Sequence, residues 1–178
     1  EFGKKFNVVG FDINKNRINQ LKRKSDVTNE VKKNDFIKSK KLSFTYNYKD
    51  LKGSNIYIIT VPTPINKFHK PNLINLITAS KIVGKVLKKN DIVIIESTVF
   101  PGATEEICVP YLQKISNLTF NKEFFCGYSP ERINPGDSKY KLPNICKITS
   151  GSTKQVAEII DQLYSKIIKA GTIKVSSI

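Results

Sequence analysis

The sequence alternates short apolar runs with longer segments whose apolar residues recur at helical spacing. Residues 7–12, 42–45, 56–61, 91–96, 124–128 and 145–149 predict strands, and residues 15–23, 73–87, 104–115 and 153–168 predict helices. Run 56–61 is almost continuously apolar, which predicts a strand buried on both faces. Alternation of this kind predicts βαβ units with right-handed crossovers. The expected fold is therefore an α/β, doubly wound parallel sheet.

The charge of the chain is strongly positive. Its 178 residues carry 30 Lys and Arg against 15 Asp and Glu, a formal net charge of +15. Nucleic acid is the obvious partner for such a charge. Only three of the basic residues are Arg, however, and the lysines are spread over the whole length. This pattern favours a solvated lysine surface that attracts small anionic ligands, and it predicts no nucleic-acid partner.

The cysteine and histidine content limits the chemistry. Cys108, Cys126 and Cys146 are odd in number and widely spaced, and His69 is the one histidine. This pattern predicts no metal site and a reduced, cytoplasmic setting. No apolar run approaches the roughly 20 residues that a membrane-spanning helix needs, so we expect no membrane partner. The cysteines lack the surroundings that would activate a thiolate and are interpreted as structural.

Ligands of doubly wound sheets bind beyond the carboxyl ends of the strands. That rule selects four places in the sequence, namely Asp12, Val61-Pro62-Thr63-Pro64, Ser97-Thr98 and the loop 129–137. Asp12 is able to accept hydrogen bonds from ribose hydroxyls, or to cap the next helix, for which Asn14 is also a candidate. Arg17 is able to reach the same ligand or to be a solvated helix residue. For Asp12 and for Arg17, both the ligand contact and the structural role remain open interpretations.

The two middle places carry hydroxyl groups. Thr63 lies between two prolines, in a segment that is either a rigid turn or a ligand contact. Ser97 and Thr98 precede a helix, where hydroxyls suit a phosphate, a carboxylate or a developing oxyanion, or else cap that helix. Glu96 is interpreted as a packing or sheet-edge residue. In the loop 129–137, Glu131 and Arg132 suit sugar hydroxyls and phosphates, or form an ion pair that stiffens the loop.

Together these segments resemble the amino-terminal, NAD-binding domain of the UDP-glucose/GDP-mannose dehydrogenase family over essentially all 178 residues. The resemblance rests on Val9-Gly10-Phe11-Asp12 with Arg17, on Val61-Pro62-Thr63-Pro64, on Glu96-Ser97-Thr98-Val99-Phe100-Pro101-Gly102, and on Ser129-Pro130-Glu131-Arg132 with Pro135-Gly136. It implies a Rossmann-like fold and an NAD-dependent, four-electron oxidation of a nucleotide-sugar C6 alcohol to a carboxylate. The UDP-sugar is the implied substrate, and the full-length enzyme is implied to be a homo-oligomer.

The resemblance also implies a role for each site residue. Asp12 and Arg17 would contact the adenosine ribose region of NAD. Thr63 and Thr98 would line the NAD site, and Thr98 would also position the catalytic water or oxyanion. Glu131, Arg132 and Ile133 would lie against the substrate.

One departure from the family pattern narrows the substrate. UDP-glucose enzymes of the family carry a second glutamate four residues after the first, and here that position is Pro135. The sequence of this loop is similar to that of the branch that oxidises UDP-N-acetylhexosamines. The implied substrate is UDP-N-acetylglucosamine, with UDP-N-acetylmannosamine as the runner-up and UDP-glucose as a further alternative. Surface polysaccharide synthesis is the implied purpose. A nucleotide- or nucleic-acid-binding module without redox chemistry is the non-enzymatic alternative.

The chain lacks several parts that the family requires. It begins Glu1-Phe2-Gly3 without methionine, and it carries no G-x-G-x-x-G loop. By the resemblance, the catalytic lysine and asparagine and the nucleophilic cysteine would follow Ile178, and none of the three cysteines present replaces the last. We therefore expect residues 1–178 to be a partial NAD-binding domain, cut before its first strand. Made alone, it is predicted to be inactive and poorly stable.

Overall fold

The computed structural model describes residues 1–132 and 142–178. Its strands are β1 (Val8–Phe11), β2 (Leu42–Thr45), β3 (Ile56–Ile59), β4 (Asp91–Ile95), β5 (Phe124–Tyr128), β6 (Lys147–Gly151) and β7 (Thr172–Lys174). Its helices are α1 (Lys15–Lys22), α2 (Lys33–Lys38), α3 (Ile74–Gly84), α4 (Val109–Ser116) and α5 (Lys154–Ser165). The predicted alternation of strands and helices is confirmed, and β2 and β5 have the predicted bounds.

The described strands form two sheets, in two compact units of the chain. In the unit Glu1–Gly53, β1 and β2 pair in parallel. In the unit Ser54–Ile178, five strands pair in the order β3-β4-β5-β6-β7. The prediction that the chain is cut before the first strand of its domain stays a prediction.

The first unit is built around one short helix. The side chain of Asn14 accepts hydrogen bonds from the amides of Asn16 and Arg17, so the predicted N-cap of α1 is confirmed. Ile18 is fully buried and holds α1 in the core of this unit, together with Phe36 and Leu51. No residue of β1 is buried, which leaves this core small.

The second unit has a dense core. All five residues of β4 are buried between β3 and β5. Helix α5 packs on β5, β6 and β7, while α3 packs on α4 and β3. The prediction for β3 is wrong in one respect, since Tyr57 and Ile59 are buried but Ile56 and Ile58 are only half-buried. The reason is that β3 is an edge strand of this sheet, paired with β4 alone among the described residues.

Two local features of the second unit depart from simple periodicity. The helix predicted from residue 104 begins as a π-helical turn, Thr104–Cys108, and continues as α4, of which Pro110 is the second residue. Strand β6 runs antiparallel to β5, whereas β3, β4 and β5 are mutually parallel and β6 is parallel to β7. The start of β6 therefore lies at the edge where β4 and β5 end.

Candidate functional site

Three of the four predicted places lie at one edge of the five-stranded sheet. Thr63 follows β3, Thr98 follows β4, and Glu131 and Arg132 follow β5. These three strands are adjacent and parallel, so their carboxyl ends share that edge. We refer to it as the carboxyl edge. Asp12 and Arg17 belong to the other unit, where Asp12 follows β1.

Ser97 ties the segment after β4 to the segment after β3. Its hydroxyl donates to the carbonyl of Val61 at 2.7 Å and is 3.5 Å from that of Ile59. Ser97 is almost fully buried, so this is a structural hydroxyl. Its neighbour Thr98 is exposed, and its side chain is therefore the one at this place that a ligand can reach.

The Pro62-Thr63-Pro64 turn is held from both sides and leaves one hydroxyl unused. The side chain of Asn75 donates to the Pro62 carbonyl at 3.0 Å, and the Asn72 amide donates to the Pro64 carbonyl at 2.7 Å. The Thr63 Oγ1 atom is buried and has no hydrogen-bond partner among the described residues. Such an orphan costs about 1–3 kcal/mol unless a ligand or water satisfies it. Thr63 therefore suits a ligand contact.

The segment after β5 is fixed to β4 through its backbone. The amide of Ser129 donates to the Ile95 carbonyl at 3.0 Å, and the amide of Glu131 donates to the Glu96 carbonyl at 3.4 Å. Ser129 is fully buried, and its hydroxyl donates to the Ile148 carbonyl at 2.7 Å. These bonds make residues 129–131 a continuation of the sheet.

Glu131 and Arg132 are both exposed beyond that anchored backbone. The Arg132 amide donates to Glu131 Oε1 at 2.7 Å, and Arg132 Nη1 donates to the Cys146 carbonyl at 3.1 Å. The guanidinium is therefore oriented by backbone, and its other N–H groups have no hydrogen-bond partner within residues 1–132 and 142–178, so they suit an anion. Ile133 and Pro135 lie outside the described residues.

In the first unit, Asp12 is placed to accept from a ligand. Its Oδ1 atom accepts from the Asn14 amide at 2.8 Å, and Asn14, not Asp12, caps α1. Asp12 is half-buried at the end of β1, where it makes no ion pair among the described residues. Its second carboxylate oxygen has no hydrogen-bond partner among the described residues.

Arg17 has a partner within its own unit. Its Nη1 atom lies 2.7 Å from Asp26 Oδ1, a distance for an ion pair, although the N–H does not point at the carboxylate with hydrogen-bond geometry. Burial alone would raise the pKa of Asp26, but contacts with the Thr28 hydroxyl, the Val31 amide and Arg17 outweigh it and hold that pKa well below its usual range. The ribose contact predicted for Arg17 stays a prediction.

Two of the cysteines are unsuited to covalent chemistry. Cys108 and Cys126 are free thiols buried completely in the core, and burial raises the pKa of both. Both would be protonated and poorly nucleophilic near neutral pH. Cys146 is half-buried and unpaired, and its carbonyl is used by Arg132. In residues 1–132 and 142–178, no group of three His, Cys, Asp or Glu could hold a metal ion, and no helix is long and apolar enough to cross a membrane.

Sequence reasoning missed one residue of this edge. Lys147, the first residue of β6, is almost fully buried, and its ammonium lies 3.3 Å from Glu96 Oε2 and 3.1 Å from the Pro130 carbonyl. Glu96 also accepts from the Tyr164 hydroxyl, which agrees with its predicted packing position. No local signal distinguishes this lysine from the many others in the sequence, because only the antiparallel course of β6 brings it to the edge.

Comparison with known proteins identifies the family. Residues 3–168 match the UDP-glucose/GDP-mannose dehydrogenase family, NAD binding domain. The chain is 57% identical over 178 residues to the UDP-N-acetyl-D-glucosamine 6-dehydrogenase of Pseudomonas aeruginosa and 56% identical to that of Salmonella typhi, in both cases covering 100% of this chain and 42% of the relative. The chain thus spans 42% of the length of these curated relatives.

The fold has a counterpart among solved structures. The UDP-D-ManNAc dehydrogenase of Pyrococcus horikoshii superposes with a TM-score of 0.86 at 30% identity, over 99% of this chain and 43% of that one. This likeness confirms the predicted Rossmann-like α/β class. The chain therefore belongs to the UDP-glucose/GDP-mannose dehydrogenase family, and it corresponds to the part of that family that binds NAD.

Proposed function

We propose that residues 1–178 form part of the NAD-binding domain of an NAD-dependent UDP-N-acetylhexosamine 6-dehydrogenase. UDP-N-acetylglucosamine is the proposed substrate, and its C6 hydroxyl is oxidised to the carboxylate for surface polysaccharide synthesis. The observation that carries the proposal is the 57% identity, over the entire chain, to a UDP-N-acetyl-D-glucosamine 6-dehydrogenase.

The cofactor half of the proposal assigns Asp12, Arg17, Thr63 and Thr98 to NAD. The unsatisfied Oγ1 of Thr63 supports it, because a bound ligand would remove the cost of that buried orphan. The second carboxylate oxygen of Asp12 suits a ribose hydroxyl and would repel the extra phosphate of NADP. NAD, when bound, supplies the hydride acceptor for the oxidation.

The substrate half assigns Glu131, Arg132 and Ile133 to the UDP-sugar. Arg132 is oriented by the Cys146 carbonyl and offers its remaining N–H groups to an anionic oxygen. Glu131 presents an exposed carboxylate from a backbone anchored on Glu96. Thr98 is the proposed group that positions water or stabilises a developing oxyanion, since it is exposed at the same carboxyl edge.

The remaining chemistry would come from segments outside this chain. The three cysteines present are not proposed as the nucleophile. Cys108 and Cys126 are buried in the core, where burial raises the pKa of both thiols, and the position of Cys146 does not match the family nucleophile. We propose that the full-length enzyme, a homo-oligomer in the cytoplasm, supplies that cysteine together with a lysine and an asparagine. We propose no nucleic-acid or membrane partner for it.

The decisive experiment compares NADH production by the full-length enzyme on UDP-N-acetylglucosamine, UDP-N-acetylmannosamine and UDP-glucose. The largest kcat/KM is expected with UDP-N-acetylglucosamine, and two NADH should form for each sugar oxidised. A preference for UDP-glucose would contradict the reading of Pro135. NADH formed by residues 1–178 alone would contradict the proposed division of the chemistry.

The cofactor assignment is tested with Thr63→Val, which keeps the shape of the side chain and removes the hydroxyl. The KM for NAD should rise about tenfold, which corresponds to one lost hydrogen bond of about 1.4 kcal/mol. The matched control is Thr119→Val, a surface threonine whose side chain makes no hydrogen bond among the described residues other than to Glu123. An unchanged KM in Thr63→Val would remove Thr63 from the cofactor site.

A further inference from the structure

The buried ammonium of Lys147 stands out because most lysines of this chain are on the surface. Its side chain is 2% exposed. The Nζ atom donates to the Pro130 carbonyl at 3.1 Å, lies 3.3 Å from Glu96 Oε2, and sits 5.6 Å from the centre of the Tyr164 ring. A buried charge is costly unless it is paired and hydrogen-bonded, and an apolar residue would fill the same space at lower cost. Packing alone therefore does not account for a lysine here.

The register of β6 explains what the ammonium reaches. In the antiparallel ladder, Gly127 lies opposite Gly151 and Tyr128 lies opposite Ser150. Each further residue of β5 therefore meets an earlier residue of β6, which brings Lys147 alongside the chain just beyond the end of β5. The ammonium is thus delivered to the Pro130 carbonyl, one residue before Glu131.

Glu96 connects this ammonium to the neighbouring strand end. Its carboxylate pairs with Lys147 and accepts from the Tyr164 hydroxyl of α5, while its own backbone carbonyl accepts from the Glu131 amide. Glu96 is also the residue immediately before Ser97 and Thr98. The three side chains, which we call the Glu96–Lys147–Tyr164 cluster, therefore join the segment after β4 to the segment after β5.

We propose that Lys147 is a positioning residue: its ammonium fixes the Pro130 carbonyl, and thereby holds Glu131 in register with Thr98 at the carboxyl edge. This inference rests on the proposed function, because Glu131 and Thr98 are its substrate and catalytic groups. A hydrogen bond from a cation is roughly twice as strong as a neutral one, and it joins two loops that must keep a fixed spacing. Glu96 neutralises the buried ammonium, and Tyr164 orients the Glu96 carboxylate.

The test removes the cation without leaving its partner charged. Glu96→Gln/Lys147→Met in the full-length enzyme keeps the volume of both side chains, and Glu96→Gln alone is the reference. A displacement of the order of 1 Å at a catalytic group is enough to cost about 100-fold, so kcat/KM for UDP-N-acetylglucosamine should fall about 100-fold relative to the reference. The KM for NAD should match the reference. The melting temperature should be no lower than that of the reference, because the reference keeps a buried ammonium without its carboxylate, whereas a merely structural role for Lys147 would lower it.

The matched control is Lys174→Met, because Lys174 makes its ion pair with Glu158 on the surface of the same unit. Its kcat/KM should equal that of the unaltered enzyme. The inference is overturned if the double variant keeps the kcat/KM of the reference, or if its loss of activity follows a parallel fall in melting temperature.

A second measurement separates this inference from the proposed function. If the unaltered enzyme forms no NADH from any UDP-sugar, the proposed function fails and the kinetic comparison has no meaning. Amide hydrogen exchange of residues 129–132 is independent of turnover. Faster exchange there in the double variant than in Glu96→Gln supports the cluster as the anchor of this loop, and unchanged exchange overturns it.

Discussion

The two units of the chain bury similar apolar strands to very different extents. Strand β4 of the unit Ser54–Ile178 is paired on both sides, and all of its residues are buried. Among the described residues, β1 of the unit Glu1–Gly53 pairs with β2 alone, and none of the residues of β1 is buried. Both strands are rich in apolar residues, since β1 contains two valines and a phenylalanine and β4 contains three isoleucines and a valine. The difference teaches that an apolar composition allows a strand to be buried, while the number of neighbouring strands decides how much of its surface is buried.

The largest expected effect comes from a glycine where two elements touch. A Cβ atom at Gly151 would lie 2.3 Å from the backbone nitrogen of Ala157, in the first turn of α5, so strand or helix must shift. Gly151→Ala should destabilise the second unit by about 3 kcal/mol, measured in the full-length enzyme by urea unfolding followed through the exchange of peptides from β6 and α5.

The matched control lies in the first unit. A Cβ atom at Gly53 meets nothing within 4 Å, so Gly53→Ala should change the unfolding free energy by less than about 0.5 kcal/mol. Equal effects of the two substitutions would mean that the close contact between Gly151 and α5 does not determine the loss of stability.

The same substitution in β1 and in β4 measures the difference in burial directly. Val93 of β4 is fully buried between Tyr57 and Cys126, and Val9 of β1 is half-buried opposite Ser43. Val93→Ala should cost about 2 kcal/mol, because it removes two buried methyl groups and leaves a cavity. Val9→Ala should cost under about 1 kcal/mol.

The measurement is again urea unfolding of the full-length enzyme, with exchange followed separately in peptides from β1 and β4. A larger loss from Val9→Ala than from Val93→Ala would show that β1 gains further neighbours in the full-length enzyme.

This contrast also explains which features the sequence was able to predict. Local sequence patterns predicted the bounds of β2 and β5 and the Asn14 cap of α1, because each of these features depends on residues adjacent in the chain. It failed for the burial of β3, since an edge position is a property of the sheet order and not of residues 56–59. The antiparallel course of β6 and the buried place of Lys147 arise from the same kind of long-range pairing.

The candidate site shows the same division between features that the sequence predicts and features that depend on contacts formed only after folding. The strand-end rule brought Thr63, Thr98 and Glu131 to one edge from sequence alone, because parallel strands that follow one another must end together. Side-chain partners lie outside the reach of that rule. The orphaned hydroxyl of Thr63 and the pairing of Arg17 with Asp26 depend on atoms that meet only after folding.

The smallest expected effect is electrostatic and belongs to the first unit. Asp26 has a nearly fully buried carboxylate that accepts from the Thr28 amide and hydroxyl and from the Val31 amide, and that lies against Arg17. Asp26→Asn removes the charge that Arg17 faces, so it should destabilise this unit by about 1–2 kcal/mol at pH 7. Asp35→Asn is the control, because its carboxylate is exposed and 4.0 Å from Lys4, and no measurable loss is expected.

The pH dependence of that effect has a definite sign. The folded pKa of Asp26 lies well below its ordinary value of 3.8, so the unfolded state binds the proton first as the pH falls. The stabilisation is complete above about pH 4 to 5 and is lost progressively as the pH falls below the ordinary value towards the folded pKa.

Methyl NMR during urea unfolding, at pH 7 and pH 3, reports the two cores separately through Ile18 and Ile94. The difference between unaltered protein and Asp26→Asn should shrink at pH 3 for Ile18 and be absent at both pH values for Ile94. A difference at Ile94 as large as that at Ile18 would mean that the two units unfold as one, and their separate packing would then have no separate stability.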